Sequence, residues 1–348
     1  ILICSAIVGV LLAGGYYAWN CLNVPSYSGP TSAHFDGRVF GNPDPVSLPG
    51  PWKGVQYFFT STPGPWETWR VNPPADEVLE RSDTLRVTFI NHATTLIQLN
   101  GQNILTDPIY SERASPFSWV GPVRRHAPGI ALTELPPIDL VLLSHNHYDH
   151  TDLPTLDSLA VSHNPTFVVG LGCSGLLKQN GITNVTELDW DASASFGPLT
   201  IYGEKCRHFS GRGLSDQQTT LWMSYVIEGE LGRVYFAGDT GYGKQFGAAK
   251  ARHGGLDLAV LPIGAYNPRW FMQTLHLNPA EAVLAHQELG ARHSLGIHFG
   301  TFKLSEEGQD DPIRDLTDAL DRSKIIASAF RALDPGQAWQ IPTTTRGN

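Results

Sequence analysis

The sequence predicts an α/β protein in which two sheets, mostly antiparallel or mixed, pack face to face with helices outside. Three observations carry that reading. Short apolar runs of strand length recur in both halves of the chain, and stretches of helical periodicity are interspersed among them. Several of the runs also end on a His or Asp followed by a turn. The sharpest case is Ser144-His145-Asn146-His147-Tyr148-Asp149-His150, which follows a run, 138–143, that is apolar except for Asp139. Three imidazoles and one carboxylate thus stand where a core strand ends and a loop opens, which is rigid support for a site reached from solvent.

In an extended segment residues two apart point the same way, so His145 and His147 can converge on one cation. Asp149 and His150 fall past the turn and can serve a second. A catalytic zinc takes three protein ligands and keeps one position open. Four donors exceed one such site and fall short of two, so the rest of the chain must supply more.

Composition excludes several classes. At 348 residues the chain holds one large catalytic domain or two smaller ones, and 41% hydrophobic residues with 9 Trp and 15 Phe are enough for a sizeable core. A charged share of 16% argues against disorder. The net charge is −9 and no basic run occurs, which disfavours nucleic acid as a partner. Cys4, Cys21, Cys173 and Cys206 form no Cys-x-x-Cys pair, so neither a disulfide framework nor a thiolate zinc site is indicated.

In chain order, residues 1–19 carry no charge and close with Tyr16, Tyr17 and Trp19. As a helix the run would be about 28 Å long, matching a bilayer core with aromatics at the headgroup level. It reads as a membrane anchor, the rivals being a signal segment and a buried core helix. The first basic residue beyond it is Arg38. Basic residues mark the cytoplasmic flank, so the catalytic body is expected on the far side, periplasmic or otherwise extracytoplasmic. Residues 20–80 are rich in Pro, Gly and Ser and read as a wrapping segment; the domain proper spans 81–340. Strands are expected over 85–90 and 95–99 around a turn at 91–93, and a second hairpin at Asn100-Gly101 leads to a short strand ending at Asp107. Helical texture follows the histidine loop over 153–161. Later strands fit 199–202, 220–227, 233–237, 256–263 and 294–298; helices fit 244–252, 279–289 and 312–320. Asn278 before Pro279 is a good cap ahead of a first-turn proline.

Three later strand ends also carry donors: His208, Asp239 after Gly238, and His298. A sheet exposes side chains over its own edge at strand ends, so these can gather above one rim. The count then closes, with His145, His147 and His208 on one ion, Asp149, His150 and His298 on the other, and Asp239 reaching both.

This order resembles the metallo-β-lactamase superfamily, an αββα sandwich with a two-zinc site between the sheets. Within it, Phe89-Ile90-Asn91-His92-Ala93-Thr94, Leu105-Thr106-Asp107-Pro108-Ile109, the histidine loop, His208-Phe209-Ser210-Gly211-Arg212-Gly213, Gly238-Asp239-Thr240-Gly241-Tyr242 and Ile297-His298-Phe299-Gly300-Thr301-Phe302 together resemble the N-acylphosphatidylethanolamine-hydrolysing phospholipase D family and its bacterial relatives. The likeness covers about residues 50–304; Asn91 stands where the family usually has Gly. The resemblance implies the seven ligands above on two Zn2+ ions, Fe/Zn or other mixtures being compatible with imidazole. It adds Asp107 as a buried carboxylate supporting a ligand and His276 as an active-site group near the leaving group. It implies a phosphodiesterase in which paired metals make hydroxide from a shared water, with phospholipid as substrate and a membrane as partner. The alternatives are a lactonase or amide hydrolase on a small soluble substrate and a non-catalytic, membrane-tethered metal-binding protein.

Other features carry less. Trp270-Phe271-Met272 and Trp222-Met223 could line a lipid site or fill the core. Gly170-Leu171-Gly172-Cys173-Ser174-Gly175 matches a dinucleotide pattern, but a tight turn opening a helix accounts for it equally. No Gly-x-Ser-x-Gly elbow is completed there. His92 is either a site-lining donor or a turn residue; His34, His126, His163, His253, His286 and His293 read as structural.

Overall fold

Strand β1 (Arg86–Asn91) turns at His92 and Ala93 into β2 (Thr94–Leu99), and Asn100-Gly101 turns β2 into β3 (Gln102–Thr106). The computed structural model describes residues 24–44, 50–213 and 215–342. From β3 the chain continues in parallel through β4 (Leu140–Leu142), β5 (Thr166–Gly170) and β6 (Val185–Leu188). The second sheet begins antiparallel with β7 (Ser193–Phe196), β8 (Leu199–Glu204), β9 (Ser224–Gly229) and β10 (Gly232–Phe236). It then runs parallel through β11 (Leu256–Pro262), β12 (Ala291–Ile297) and β13 (Phe330–Ala332). Strand β14 (Ala338–Gln340) returns to the first sheet beside β1. Among the described residues these form two mixed sheets of seven strands each, and two packed sheets of this kind are what the sequence predicts.

Parallel neighbours need a crossover; helices supply each of them except that from β3 to β4, where the only helical stretch in residues 107–139 is a 3-10 turn at Leu132–Glu134. After α1 (Pro51–Thr60) come α2 (Leu153–Ser162) and α3 (Cys173–Gln179) over the first sheet. The second sheet is served by α4 (Gln245–His253), the short α5 (Arg269–Met272), α6 (Pro279–Leu289) and α7 (Asp311–Ser323). Strand alternation divides the interior. Leu140 and Leu142 face the core between the sheets with Phe89, Ile97, Ile227 and Val260, whereas Val141 and Leu143 face Leu156, Leu159 and Leu177 of the helices. Strand β11, central and flanked by parallel neighbours, is buried throughout and reads as a continuous apolar run apart from Asp257.

Several expectations shift. Residues 220–223 belong to no strand, Thr220 being a bend and the Leu221 and Met223 N–H groups donating to the Leu171 and Ser144 carbonyls, and the strand starts only at Ser224. The Pro/Gly-rich segment contains α1, which its composition hid. That segment also docks on the body: Phe35 and Phe40 are buried, Trp66 Nε1 donates to the Glu307 carbonyl at 3.0 Å, and Arg70 pairs with Asp310 at 2.6 Å. Among the described residues no helix is long and apolar enough to cross a membrane; the expected anchor at 1–19 lies outside the described residues, as do Cys4 and Cys21. Cys173 and Cys206 are free and buried.

Candidate metal centre

Strand β4 delivers the histidine loop, which folds back tightly. The His150 and Thr151 N–H groups donate to the His147 carbonyl at 3.1 and 2.8 Å, and Thr151 Oγ1 donates to the His145 carbonyl at 2.7 Å. From the second sheet, β8 leads to His208, β10 to Asp239 and β12 to His298. Gly238 allows the two sheets to meet here. Its φ is +58, and a Cβ on it would fall 2.4 Å from Ser144 Cβ.

The donors of all four segments converge. His145 Nε2 lies 2.7 Å from His147 Nδ1, and His208 Nε2 lies 3.3 Å from the same atom. On the other side, Asp149 Oδ2 is 3.4 Å from both His150 Nε2 and His298 Nε2. Asp239 Oδ2 stands between the groups, 3.3 Å from His150 Nε2, 3.2 Å from His298 Nε2 and 3.8 Å from His208 Nε2. His276 Nδ1 is 3.7 Å from that oxygen. His145, His150, His208, Asp239 and His298 are buried, while His147, Asp149 and His276 form the edge that meets solvent.

Supporting contacts set the tautomers. Asp107, wholly buried, accepts the His150 Nδ1–H at 2.6 Å and the Ser144 hydroxyl at 2.6 Å. With its proton so engaged, Ser144 Oγ accepts from His145 Nδ1 at 2.9 Å, which leaves the His145 Nε2 lone pair for the centre. The His208 Nδ1–H donates to the Leu275 carbonyl at 3.1 Å with the same consequence. Asn42 pins the His208 backbone from both sides, accepting from its N–H and donating to its carbonyl at 2.9 Å each. Arg269 donates to the His276 carbonyl at 3.0 Å while paired with Glu281 at 2.8 Å, and Glu281 and Asn278 form the capping box of α6.

Arg212 braces the loop itself. Its Nη1 donates to the carbonyls of Asn146 and Thr151, both at 2.8 Å, and its guanidinium lies 3.9 Å over the Tyr148 ring. The Gly211 N–H donates to Asn146 Oδ1 at 2.7 Å.

Electrostatics divide the imidazoles. Burial holds His145 and His208 well below the ordinary histidine range and pushes His147 and His276 down to about 4. These four present lone pairs at neutral pH. Burial also opposes charge on His150 and His298, but Asp239 and Asp149 outweigh it; His150 is held well above the ordinary range and His298 is raised to about 9. Burial raises the Asp107 carboxyl too, while His150 and the Ser144 hydroxyl and N–H beside it act in the opposite direction.

The residues fit a cation. Among the described residues, His150 Nε2, His298 Nε2, His276 Nδ1 and Asp239 Oδ1 are buried with no hydrogen-bond partner. Each such group carries a desolvation penalty of about 1–3 kcal/mol unless something satisfies it. Two donor groups, His145–His147–His208 and Asp149–His150–His298 with His92 beside it, each present ligand atoms within 4.8 Å of one another, and Asp239 joins His145 and His150 in a third. A nitrogen-rich set of this kind suits zinc or another transition metal better than calcium.

The remaining sequence features resolve differently. Trp222 and Met223 are core, 1% and 0% exposed, and line no site. Phe271 stacks on Tyr57 with ring centroids 4.9 Å apart, and Trp270 is exposed beside it. The glycines at 170–175 form a tight turn packed against Tyr27, Pro25 and Leu221, where added Cβ atoms would clash at 2.9 Å or less, so no nucleotide cradle is present. His34 pairs with Asp189 and His253 with Glu204, both at 2.7 Å, and His286 with Ser294 at 2.8 Å. His92 lines the site, its Nε2 2.9 Å from Asp149 Oδ2. Ser144 and Arg212 stand within the motifs above but the sequence assigns them no role there, and Asn42 lies outside all of them.

Residues 102–299 match the family described as Beta-lactamase superfamily domain. The chain is 35% identical over 336 residues to N-acyl-phosphatidylethanolamine-hydrolyzing phospholipase D 1 of Caenorhabditis elegans, covering 88% of this chain and 93% of that protein. It is 41% identical over 263 residues to a protein of Mycobacterium tuberculosis, covering 74% and 70% of the two chains. In fold it is similar to a possible metal-dependent hydrolase of Veillonella parvula, with a TM-score of 0.59 at 16% identity over 74% of this chain and 100% of the other. The chain belongs to the metallo-β-lactamase superfamily of metal-dependent hydrolases and is a relative of the N-acylphosphatidylethanolamine-hydrolysing phospholipases D.

Proposed function

We propose that the protein is a zinc-dependent phosphodiesterase that cleaves N-acylphosphatidylethanolamine-type phospholipids between phosphate and head group, yielding phosphatidic acid and an N-acylethanolamine. The observation that carries this reading is the convergence of seven donors from four segments, several with unpaired ligand atoms, in a chain similar over 88% of its length to a phospholipase of that specificity.

In this reading His145, His147 and His208 hold one ion and Asp149, His150 and His298 the other, with Asp239 between them. Such a pair supplies a Lewis acid that lowers the pKa of water toward about 7 and takes up charge on phosphoryl oxygens. Asp107 keeps the His150 ring turned inward. His276 lies at the solvent edge and is neutral at pH 7, so it serves the departing oxygen as a hydrogen-bond donor, not as a charged acid. Tyr148, inside the histidine loop, borders a cavity of about 550 Å³ shared with Phe117, Leu153, Pro154 and Arg212, although none of the seven donors lines it. The uncharged run 1–19 supports a place at the membrane that holds the substrate, with the body extracytoplasmic.

The test is incubation of the purified protein with N-acylphosphatidylethanolamine in detergent micelles, assayed for phosphatidic acid. Hydrolysis is expected, lost on chelation and restored by zinc but not by calcium. Absence of phosphatidic acid at every zinc loading, with turnover of a lactone or amide instead, would replace the lipid reading by that of a small-substrate hydrolase.

A further inference from the structure

We infer that His92 is a positioning residue for one half of the metal centre, the Asp149–His150–His298 group, and that the His145–His147–His208 group does not depend on it. The inference rests on the two-metal reading above and is independent of the lipid assignment.

His92 occupies the turn between β1 and β2, on the first sheet, yet it grips donors from both sheets. Its Nε2 lies 2.9 Å from Asp149 Oδ2, and its carbonyl accepts the His298 N–H at 2.7 Å. The one contact orients a side chain and the other a backbone. Its ring contacts fall on the same group, with centroids 4.0 Å from His298 and 5.4 Å from His150. The ring is 2% exposed as a side chain, so water does not compete for the contact to Asp149.

A chain of hydrogen bonds fixes His92 in turn. Its backbone N–H donates to Thr301 Oγ1 at 2.8 Å, and Thr301 Oγ1 lies 2.9 Å from His126 Nε2. His126 Nδ1 is 2.7 Å from the Ala127 carbonyl, so that nitrogen carries the proton and Nε2 accepts from Thr301. Backbone conformation points the same way. His92 has φ +45 and His298 φ +64, left-handed values that non-glycine residues hold only when their surroundings impose them. Both strained residues meet at the His298 N–H to His92 carbonyl bond. Asp149 sits at the solvent edge with 16% of its side chain exposed, and without His92 its carboxylate can swing toward water. His92 Nε2 faces that carboxylate, so it acts as a donor to a ligand and not as an eighth ligand.

The test uses His92→Asn and His92→Gln. Asparagine tolerates a left-handed backbone but its amide is too short to reach Asp149, whereas glutamine restores the reach. Zinc uptake is measured by equilibrium dialysis with metal analysis, alongside the melting temperature of chelated protein and the split of kcat and KM. Wild type is expected to bind about two zinc ions. His92→Asn should keep one at wild-type affinity and bind the other roughly 10–100-fold more weakly. Its kcat should fall with KM little changed, and His92→Gln should recover part of the lost affinity. Wild-type affinity at both sites in His92→Asn would overturn the inference. Equal weakening of both sites, in step with a lower melting temperature, would overturn it as well by showing a merely structural role. Wild type that takes up two zinc ions but hydrolyses no phospholipid would defeat the substrate reading and leave this inference standing.

Discussion

Asp107 Oδ2 accepts the Nδ1–H of His150 at 2.6 Å, with both side chains wholly excluded from solvent. That single oxygen also accepts the Ser144 hydroxyl, so it sets His150 directly and His145 through Ser144. Asp107→Asn tolerates the left-handed backbone at this position (φ +34) but offers an N–H where an acceptor is needed. Zinc affinity, measured by competition with a chromogenic chelator, should fall about 10–100-fold. Unaltered affinity would remove Asp107 from the centre's support.

Gly238 and Gly247 offer a matched contrast. A Cβ at Gly238 meets Ser144 Cβ at 2.4 Å and the backbone there is left-handed, so Gly238→Ala should cost about 1–3 kcal/mol and displace Asp239 from the donors. Gly247, in α4, has open space around it, and Gly247→Ala should stabilise by about 0.5–1 kcal/mol. Denaturant unfolding checks both, and activity should be lost only in the first.

Arg212 is 9% exposed and holds the carbonyls of Asn146 and Thr151 on either side of the ligand-bearing turn. Arg212→Met keeps the stem and removes the donors. Two buried carbonyls are then unpaired, at about 1–3 kcal/mol each. Hydrogen exchange at amides 146–151 should quicken more than elsewhere in the fold. Uniform exchange across the molecule would argue against a local clamp.

Acid sensitivity follows from His126, 3% exposed, which burial lowers from the ordinary 6.5 to about 4. Its pKa is depressed on folding, so below pH 6.5 the unfolded chain binds the extra proton. Its stabilising contribution is therefore complete above about 6.5 and is lost as pH falls toward 4. Between pH 7 and pH 5 the loss amounts to about 2 kcal/mol at 1.36 kcal/mol per unit. Denaturant unfolding of His126→Gln at the two pH values should show a smaller loss than wild type; an equal loss would assign the acid response to other groups.

Much of the centre was legible beforehand because it is written locally. A strand's period, a turn dipeptide and a donor placed just after an apolar run are properties of a few consecutive residues, so β1 to β4, the cap of α6 and the ends carrying His208, Asp239 and His298 can be read directly. Helix α1 and the edge strands β6, β7, β13 and β14 escaped that reading. They are short or proline-flanked, and β14 finds its partner only across the length of the chain, with Gln340 opposite Arg86.

What the sequence determined alone is the set of strand-end donors and the two-sheet scaffold that presents them, since hydrophobic alternation selects which face each strand buries. Which donors share a centre, and what steadies them, was decided only by the folded molecule. Asn42 holds His208 across 166 residues, His92 reaches Asp149 across 57, and Gly238 admits Ser144 from the opposite sheet. The last of these contacts comes from packing the two sheets face to face at about 10 Å; the other two join loop segments far apart in the chain, and local periodicity encodes none of these partners.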